Sequence, residues 1–455
     1  MTFWIRYLTP LLGLAFAGGG LAQETSARPD YVLIDSPVIA LQGVRVIDGT
    51  SAAPREDQTV ILSAGKILAL GSSAQVSIPP EANVVELRGR TVLPGLVMLH
   101  EHLMYFSGRA IWHSQPVSYP RLYLAAGVTT LRTAGTEHPE VELSLKRRID
   151  QGKTPGPKTF LTGPYFNGPG GDFLGDTVVR NVDEARQAAE FWASRGFTSF
   201  KVYDSIAPEA LRVIIEVAHA RGLKVTGHLR SVGCAEAADL GIDFIEHSFV
   251  SCQKDLGVNL EAAGFKADPS ASKVQALIRH LVRSRVVLVA TPFALDRRLS
   301  AEELELLSAE SRESYLKAAH QPPPWWPDPA AQREVRKLEK AFVAAGGRLA
   351  VGADAMDFGQ IAGFANHRAL ELLVEAGWPS LDVLRIATSQ GAELLGVGDS
   401  VGRIAAGWAA DLIVVDGDPA ANIKELSKIE MIFKDGIAYD PVKLRAEAKG
   451  LVGWH

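Results

Sequence analysis

The chain has 455 residues, with 47 Lys+Arg against 52 Asp+Glu, 11 His and only 2 Cys. Hydrophobic residues make up 47% and charged residues 22%, which excludes disorder and collagen-like repetition and leaves ample material for a core. A net charge of −5 offers phosphate backbones no attraction, so nucleic acid is not expected as a partner. Two cysteines can build neither a disulfide scaffold nor a four-thiolate zinc site.

The N-terminus reads as a signal peptide over residues 1–22. Arg6 precedes an apolar run, Tyr7–Ala17, that is too short to span a bilayer, and Gly20-Leu21-Ala22 supplies a small-x-small cleavage pattern. Cleavage near Ala22 gives an exported chain, periplasmic or secreted. No Cys follows the site to carry a lipid, and no later segment is apolar enough for the mature chain to enter a membrane.

Residues 30–91 are rich in short β-type runs broken by turns, such as Val44–Ile47 before Asp48-Gly49. From residue 92 the texture changes to buried β runs alternating with helix-length amphipathic stretches. The expected strands are Leu96–His102, Val128–Arg132, Thr159–Thr162, Thr198–Tyr203, Lys224–His228, Asp243–His247, Val286–Thr291 and Leu349–Asp354. Helical patterns fall between them, for example Asp183–Arg195, Pro208–Arg221, Cys234–Leu240, Ser270–Ser284 and Gln332–Ala345. Eight such units over roughly 260 residues fit the ~250 residues of a (β/α)8 TIM barrel. A doubly wound sheet is the alternative, but the glycine fingerprint it often carries is missing. Residues 391–455 return to the β texture at Asp411–Val415 and Met431–Phe433. The α/β barrel of residues 92–390 is therefore expected to interrupt a small β-sandwich domain built from both flanks. The Pro/Trp-rich stretch 320–329 reads equally as a lid or as a rigid connection.

A barrel places its chemistry at the C-terminal ends of its strands. The first strand ends His100-Glu101-His102, where the pleat turns both imidazoles the same way. Lys201 interrupts an apolar fourth strand, His228 and His247 end the fifth and sixth, and Asp354 ends the eighth. Each alone has a structural explanation: a hydrogen-bonded His, a snorkelling Lys, a helix-capping Asp. Together at the ends of five strands, imidazoles and carboxylate are the donor set of a zinc-type metal site.

Read with Leu93-Pro94-Gly95-Leu96 before the His-x-His pair and the run Val401–Pro419, these motifs resemble the amidohydrolase superfamily of metal-dependent hydrolases. The likeness is greatest to its imidazolonepropionase-related and prolidase-like dipeptidase branch. It implies two divalent metal ions, of which zinc is the expected kind. His100, His102 and Asp354 would hold one ion, His228 and His247 the other, and a carboxylated Lys201 would bridge them. It further implies attack by a shared hydroxide on a scissile carbonyl, with Asp354 as catalytic proton shuttle. One departure stands out: Met98 occupies the position, two before the first His, where the family commonly has Asp.

For substrate, Tyr203 and Arg230 lie two residues beyond Lys201 and His228 and so face the same way, suiting a substrate carboxylate. Helix capping or pairing with a surface acid would also account for Arg230. His113, with Tyr105, Asn167 and Asp172, is a candidate for the pocket wall. The expected substrate is a small molecule with an amide bond and a free carboxylate, such as a dipeptide or N-acyl amino acid. Ring opening of a cyclic amide or lactone, or a non-catalytic binding role on the same fold, are the alternatives. Cys234 and Cys252 follow neighbouring strand ends and either pair in an oxidising compartment or remain buried thiols. The resemblance is compatible with a homo-oligomer, and no interface is identified.

Overall fold

The computed structural model describes residues 29–106, 112–171, 175–292, 298–320, 328–356 and 359–454. The signal-peptide region, Asp172 and residues 321–327 of the Pro/Trp-rich stretch lie outside the described residues.

The apolar runs form parallel strands because they are buried along their whole length. Leu96–Glu101, for instance, has every residue buried, as a strand packed on both faces requires. The first and second strands (Leu96–Glu101 and Val128–Thr133) pair with Lys158–Phe160 in a three-stranded parallel array. A seven-stranded parallel array carries the rest in the order Thr177–Val178, Thr162–Asn167, Ser199–Val202, Lys224–Gly227, Phe244–Glu246, Val287–Ala290 and Arg348–Val351. The expected third strand is thus split at Leu161, and its second half runs on to Asn167. Contacts link the two arrays at two places. Thr162 donates its backbone N–H to Thr133 Oγ1 at 2.9 Å, and Asp354 donates its own to the His100 carbonyl at 3.1 Å. Gly352 permits the second seam: a Cβ there would stand 2.4 Å from that of His100.

Helices follow most strands, with their ends set by local chemistry. Asn181 accepts from Glu184 N to start Val182–Ala193, Pro208 opens Pro208–Ala220, and Gly241 at φ +97° ends Cys234–Leu240.

Both flanks join one nine-stranded sheet, in which Leu412–Val415 from the C-terminal side runs antiparallel to Thr91–Pro94. In place of two separate ladders, the flank strands are hydrogen-bonded into this single sheet. Ile39, Leu41, Val60, Leu62, Leu412, Val414 and Phe433 nevertheless meet in one apolar cluster. Lys158 pairs with Asp411 and Asp435, tying the parallel strands to this sheet.

Glu142, on the helix Pro139–Asp150, is buried with Oε2 lacking a hydrogen-bond partner. Burial pushes its pKa up to about 8, against the pull of a Thr136 hydrogen bond. The folded chain therefore keeps a proton that the unfolded chain releases near 4.5, so stability falls as pH rises from about 4.5 to 8. Glu142→Gln keeps the neutral shape and removes this cost. Thermal unfolding should show a gain on the order of 1–3 kcal/mol at pH 8.5 that vanishes near pH 4; an equal gain at both pH values would refute the assignment.

Candidate metal centre

The end of the first strand divides its side chains between two sides. His100 and His102 turn toward Asp354, whose Oδ1 lies 3.3 Å and 3.1 Å from their Nε2 atoms. The ligand atoms of these three buried residues all lie within 4.8 Å of one another. Glu101 accepts from Ala353 N at 2.9 Å and Asn366 Nδ2 at 2.7 Å, fastening the eighth strand's end to the first. Burial raises its pKa to about 7 despite these bonds.

The other two imidazoles adjoin this group. The His247 ring centroid is 4.7 Å from that of His100 and 4.5 Å from that of His228. His247 Nδ1 is hydrogen-bonded to Thr291 Oγ1 at 2.9 Å and lies 3.8 Å from Asp354 Oδ2. Lys201 is fully buried, with Nζ 5.8 Å from the centroid of the Tyr203 ring. Two of the six strand-end residues adopt backbone that L-residues avoid: φ is +56° at His247, followed by +54° at Ser248, and +51° at Asp354. Each such residue costs roughly 1 kcal/mol, and the surrounding contacts must hold it in place.

Burial and mutual repulsion keep most of the imidazoles neutral. Burial lowers His102, and burial together with His247 drives His228 well below the usual range. His247 falls to about 3 through burial and its neighbour His100. Asp354 moves the other way: despite burial, His100 and His102 hold it well below the usual carboxylate range. Burial likewise lowers Lys201, which the Glu246 and Asp354 carboxylates only partly oppose. Neutral imidazoles and an ionised carboxylate are the protonation states that metal ligation needs. Asp354 Oδ1, His102 Nδ1 and His228 Nδ1 are buried without hydrogen-bond partners. Buried ligand atoms left without partners, beside three residues whose ligand atoms fall within 4.8 Å of one another, fit a divalent, zinc-type ion better than a hydrogen-bonded core.

Beneath the cluster lies a carboxylate that the sequence reading passed over. Glu246 Oε2 is 2.6 Å from His100 Nδ1, while Oε1 accepts from Arg132 and Thr226. Burial alone would raise its pKa, but Arg132, His100 and Lys201 hold it well below the usual range. The two carboxylates in turn raise His100 against its burial. Glu246 thus sets a carboxylate against His100, which Met98, itself fully buried, cannot. The available signal was a charged residue inside an apolar strand, the same one that singled out Lys201; it applied equally to Arg132 and Glu246.

The residues expected at the pocket wall separate. Tyr203 stacks edge-on against His228, with centroids 4.9 Å apart, and against Tyr165 at 5.3 Å. Arg230 lies at the surface, its Nε 2.9 Å from Asp204 Oδ2. His113, in a hairpin following the first strand, packs on Trp454 with centroids 4.1 Å apart. Asn167 accepts from Ser205 and from Gly168 N and donates to Asp176, pinning the loop after the third strand to the one after the fourth. Cys234 and Cys252 form a disulfide.

The amidohydrolase family model matches residues 91–438, well over half of the chain. The chain belongs to the amidohydrolase family. Imidazolonepropionase of Chromobacterium violaceum is 26% identical over 408 residues, covering 79% of this chain and 86% of that enzyme. The imidazolonepropionase of Streptomyces avermitilis matches at 29% over 109 residues, or 24% of this chain and only 26% of that protein. A Bifidobacterium longum protein assigned as a prolidase superposes with a TM-score of 0.68 at 24% identity, covering 91% of this chain and 99% of its own. A Xaa-Pro dipeptidase with bound methionine in its active site gives 0.67 at 20%, covering 89% and 100%. At these identities the structures speak to fold alone, which is α/β of the TIM-barrel type. Family membership makes the chain a hydrolase acting on C–N bonds.

Glu246→Gln should weaken binding of the ion at His100, His102 and Asp354 about 10–100-fold, as loss of a carboxylate behind a ligand imidazole does. Competition with a fluorescent zinc chelator measures this, and unchanged affinity would remove Glu246 from the account.

Proposed function

We propose that this amidohydrolase cleaves the amide bond of a small substrate bearing a free carboxylate, a dipeptide or an N-acyl amino acid, at two zinc-type ions on a closed (β/α)8 barrel. The convergence of His100, His102 and Asp354 around buried, unpartnered donor atoms carries this reading. His228 and His247 would hold the second ion. Lys201 would join both as a carbamate, and its burial favours the neutral amine from which a carbamate forms. When bound, such ions polarise a carbonyl and lower the pKa of water toward neutrality.

The chain's own groups then account for the proton. Asp354, held ionised, accepts it from the attacking water as the carbon–oxygen bond forms. It then delivers the proton to the amide nitrogen as the carbon–nitrogen bond breaks, because without it the nitrogen would have to leave as a strongly basic anion. Tyr203 and Arg230 would orient the substrate carboxylate, with Asp204 giving up part of its hold on the guanidinium. The Cys234–Cys252 disulfide accords with an oxidising compartment, and so with the export expected of residues 1–22.

The metal-loaded protein should hydrolyse a panel of dipeptides and N-acyl amino acids, and Asp354→Asn should lower kcat about 10²-fold or more. Turnover of cyclic amides with no linear substrate accepted would instead favour ring opening, the chemistry that the name of its imidazolonepropionase relatives suggests. Tyr203→Phe and Arg230→Ala should chiefly raise KM for carboxylate-bearing substrates. Unchanged kinetics in both would detach those residues from recognition.

A further inference from the structure

The disulfide joins the two loops that leave the histidines proposed for the second ion. Cys234 opens the helix Cys234–Leu240, six residues after His228; Cys252 ends the turn Ser248–Cys252, five residues after His247. Both cysteines are fully buried, and their Cα atoms are 5.2 Å apart. The loops are stitched together at three further points. Ser251 Oγ donates to the Glu246 carbonyl at 2.7 Å and accepts from Leu229 N at 3.4 Å, next to each histidine in turn. Lys254 Nζ donates to the Ser231 carbonyl at 2.6 Å. The Asp255 carboxylate accepts from Cys234 N at 2.6 Å and Ala235 N at 3.2 Å.

These links surround a turn that needs holding. His247 and Ser248 are consecutive non-glycine residues in the left-handed region, which a chain abandons unless its surroundings prevent it. The first-ion group is tied elsewhere, since its residues come from the first and eighth strands and are joined through Glu101 and the His100 carbonyl; it meets these links only at Glu246, whose side chain holds His100 and whose carbonyl accepts from Ser251. We infer that Cys234–Cys252 is a positioning clasp, which sets His247 against His228 and so governs the second metal position without governing the first. This rests on the dinuclear reading above and adds to it that the second position depends on the oxidised state of the chain.

The test is titration of the metal-free full-length chain with Zn²⁺, comparing wild type with Cys234→Ala/Cys252→Ala and with Ser251→Ala, each monitored also by thermal unfolding. The double variant should bind its second ion at least tenfold more weakly, with the affinity for the first changed less than twofold. Ser251→Ala, which leaves the disulfide in place, should shift the second affinity in the same direction and serves if the double variant does not fold. Two ions bound at wild-type affinities in the folded variants would overturn the clasp. So would parallel weakening of both ions together with a lowered melting temperature, because that marks general stabilisation. A wild-type chain that binds no Zn²⁺ would instead overturn the dinuclear reading itself.

Discussion

A carboxylate cannot be buried at the centre of a protein without partners, and the site is organised around the partners of Glu246. Arg132 and Thr226 hold one oxygen and His100 the other. Arg132 is fixed in turn by the Leu99 carbonyl and lies over the Phe244 ring. Removing an ion from water costs several kcal/mol, and only near-complete pairing recovers it. This pairing joins the first, second, fifth and sixth parallel strands, so the charge balance also sets the relative positions of the strand ends. His100 cannot rotate without breaking it, and His100 stands between Asp354 and His247, its Nε2 3.3 Å from an oxygen of the one and its ring centroid 4.7 Å from that of the other.

From that anchor the site grows outward in two halves with different supports. One half, His100 with His102 and Asp354, sits where the eighth strand meets the first, a seam made close by Gly352 and braced by Glu101. The other half, His228 with His247, sits on loops that leave adjacent strands and are joined by a disulfide and side-chain hydrogen bonds. The unfavourable backbone at His247, Ser248 and Asp354 falls where the donor atoms converge. Strain placed at ligands and held by the scaffold is the usual mark of a functional site.

Much of this was legible in the sequence because burial makes polar residues conspicuous. His100, His102, Lys201, His228, His247 and Asp354 each interrupt or end an apolar strand, and the structure brings the imidazoles and Asp354 together. Glu246 and Arg132 carry the same signal but lie beside a stronger one: Glu246 adjoins His247 in the sequence, and Arg132 closes the apolar run Val128–Arg132. Their role appears only when the second and sixth strands are seen to converge. Arg230 illustrates the converse. Its period-2 relation to His228 assumes extended backbone, but the strand ends at Gly227, and local alternation says nothing of Asp204, which pairs with it across a loop. The division of the third strand at Leu161 and the single nine-stranded flank sheet depend on long-range pairing, to which local propensity is blind. The disulfide was undecidable for a similar reason, since spacing along the chain does not show how neighbouring loops approach.

The central claim is that these buried donors form a metal centre, and anomalous diffraction at the zinc edge from crystals grown with Zn²⁺ tests it most directly. The account predicts one peak shared by His100, His102 and Asp354 and a second beside His228 and His247, with electron density continuing beyond Lys201 Nζ. An absence of peaks, with the imidazoles hydrogen-bonded to one another and to Asp354, would contradict it.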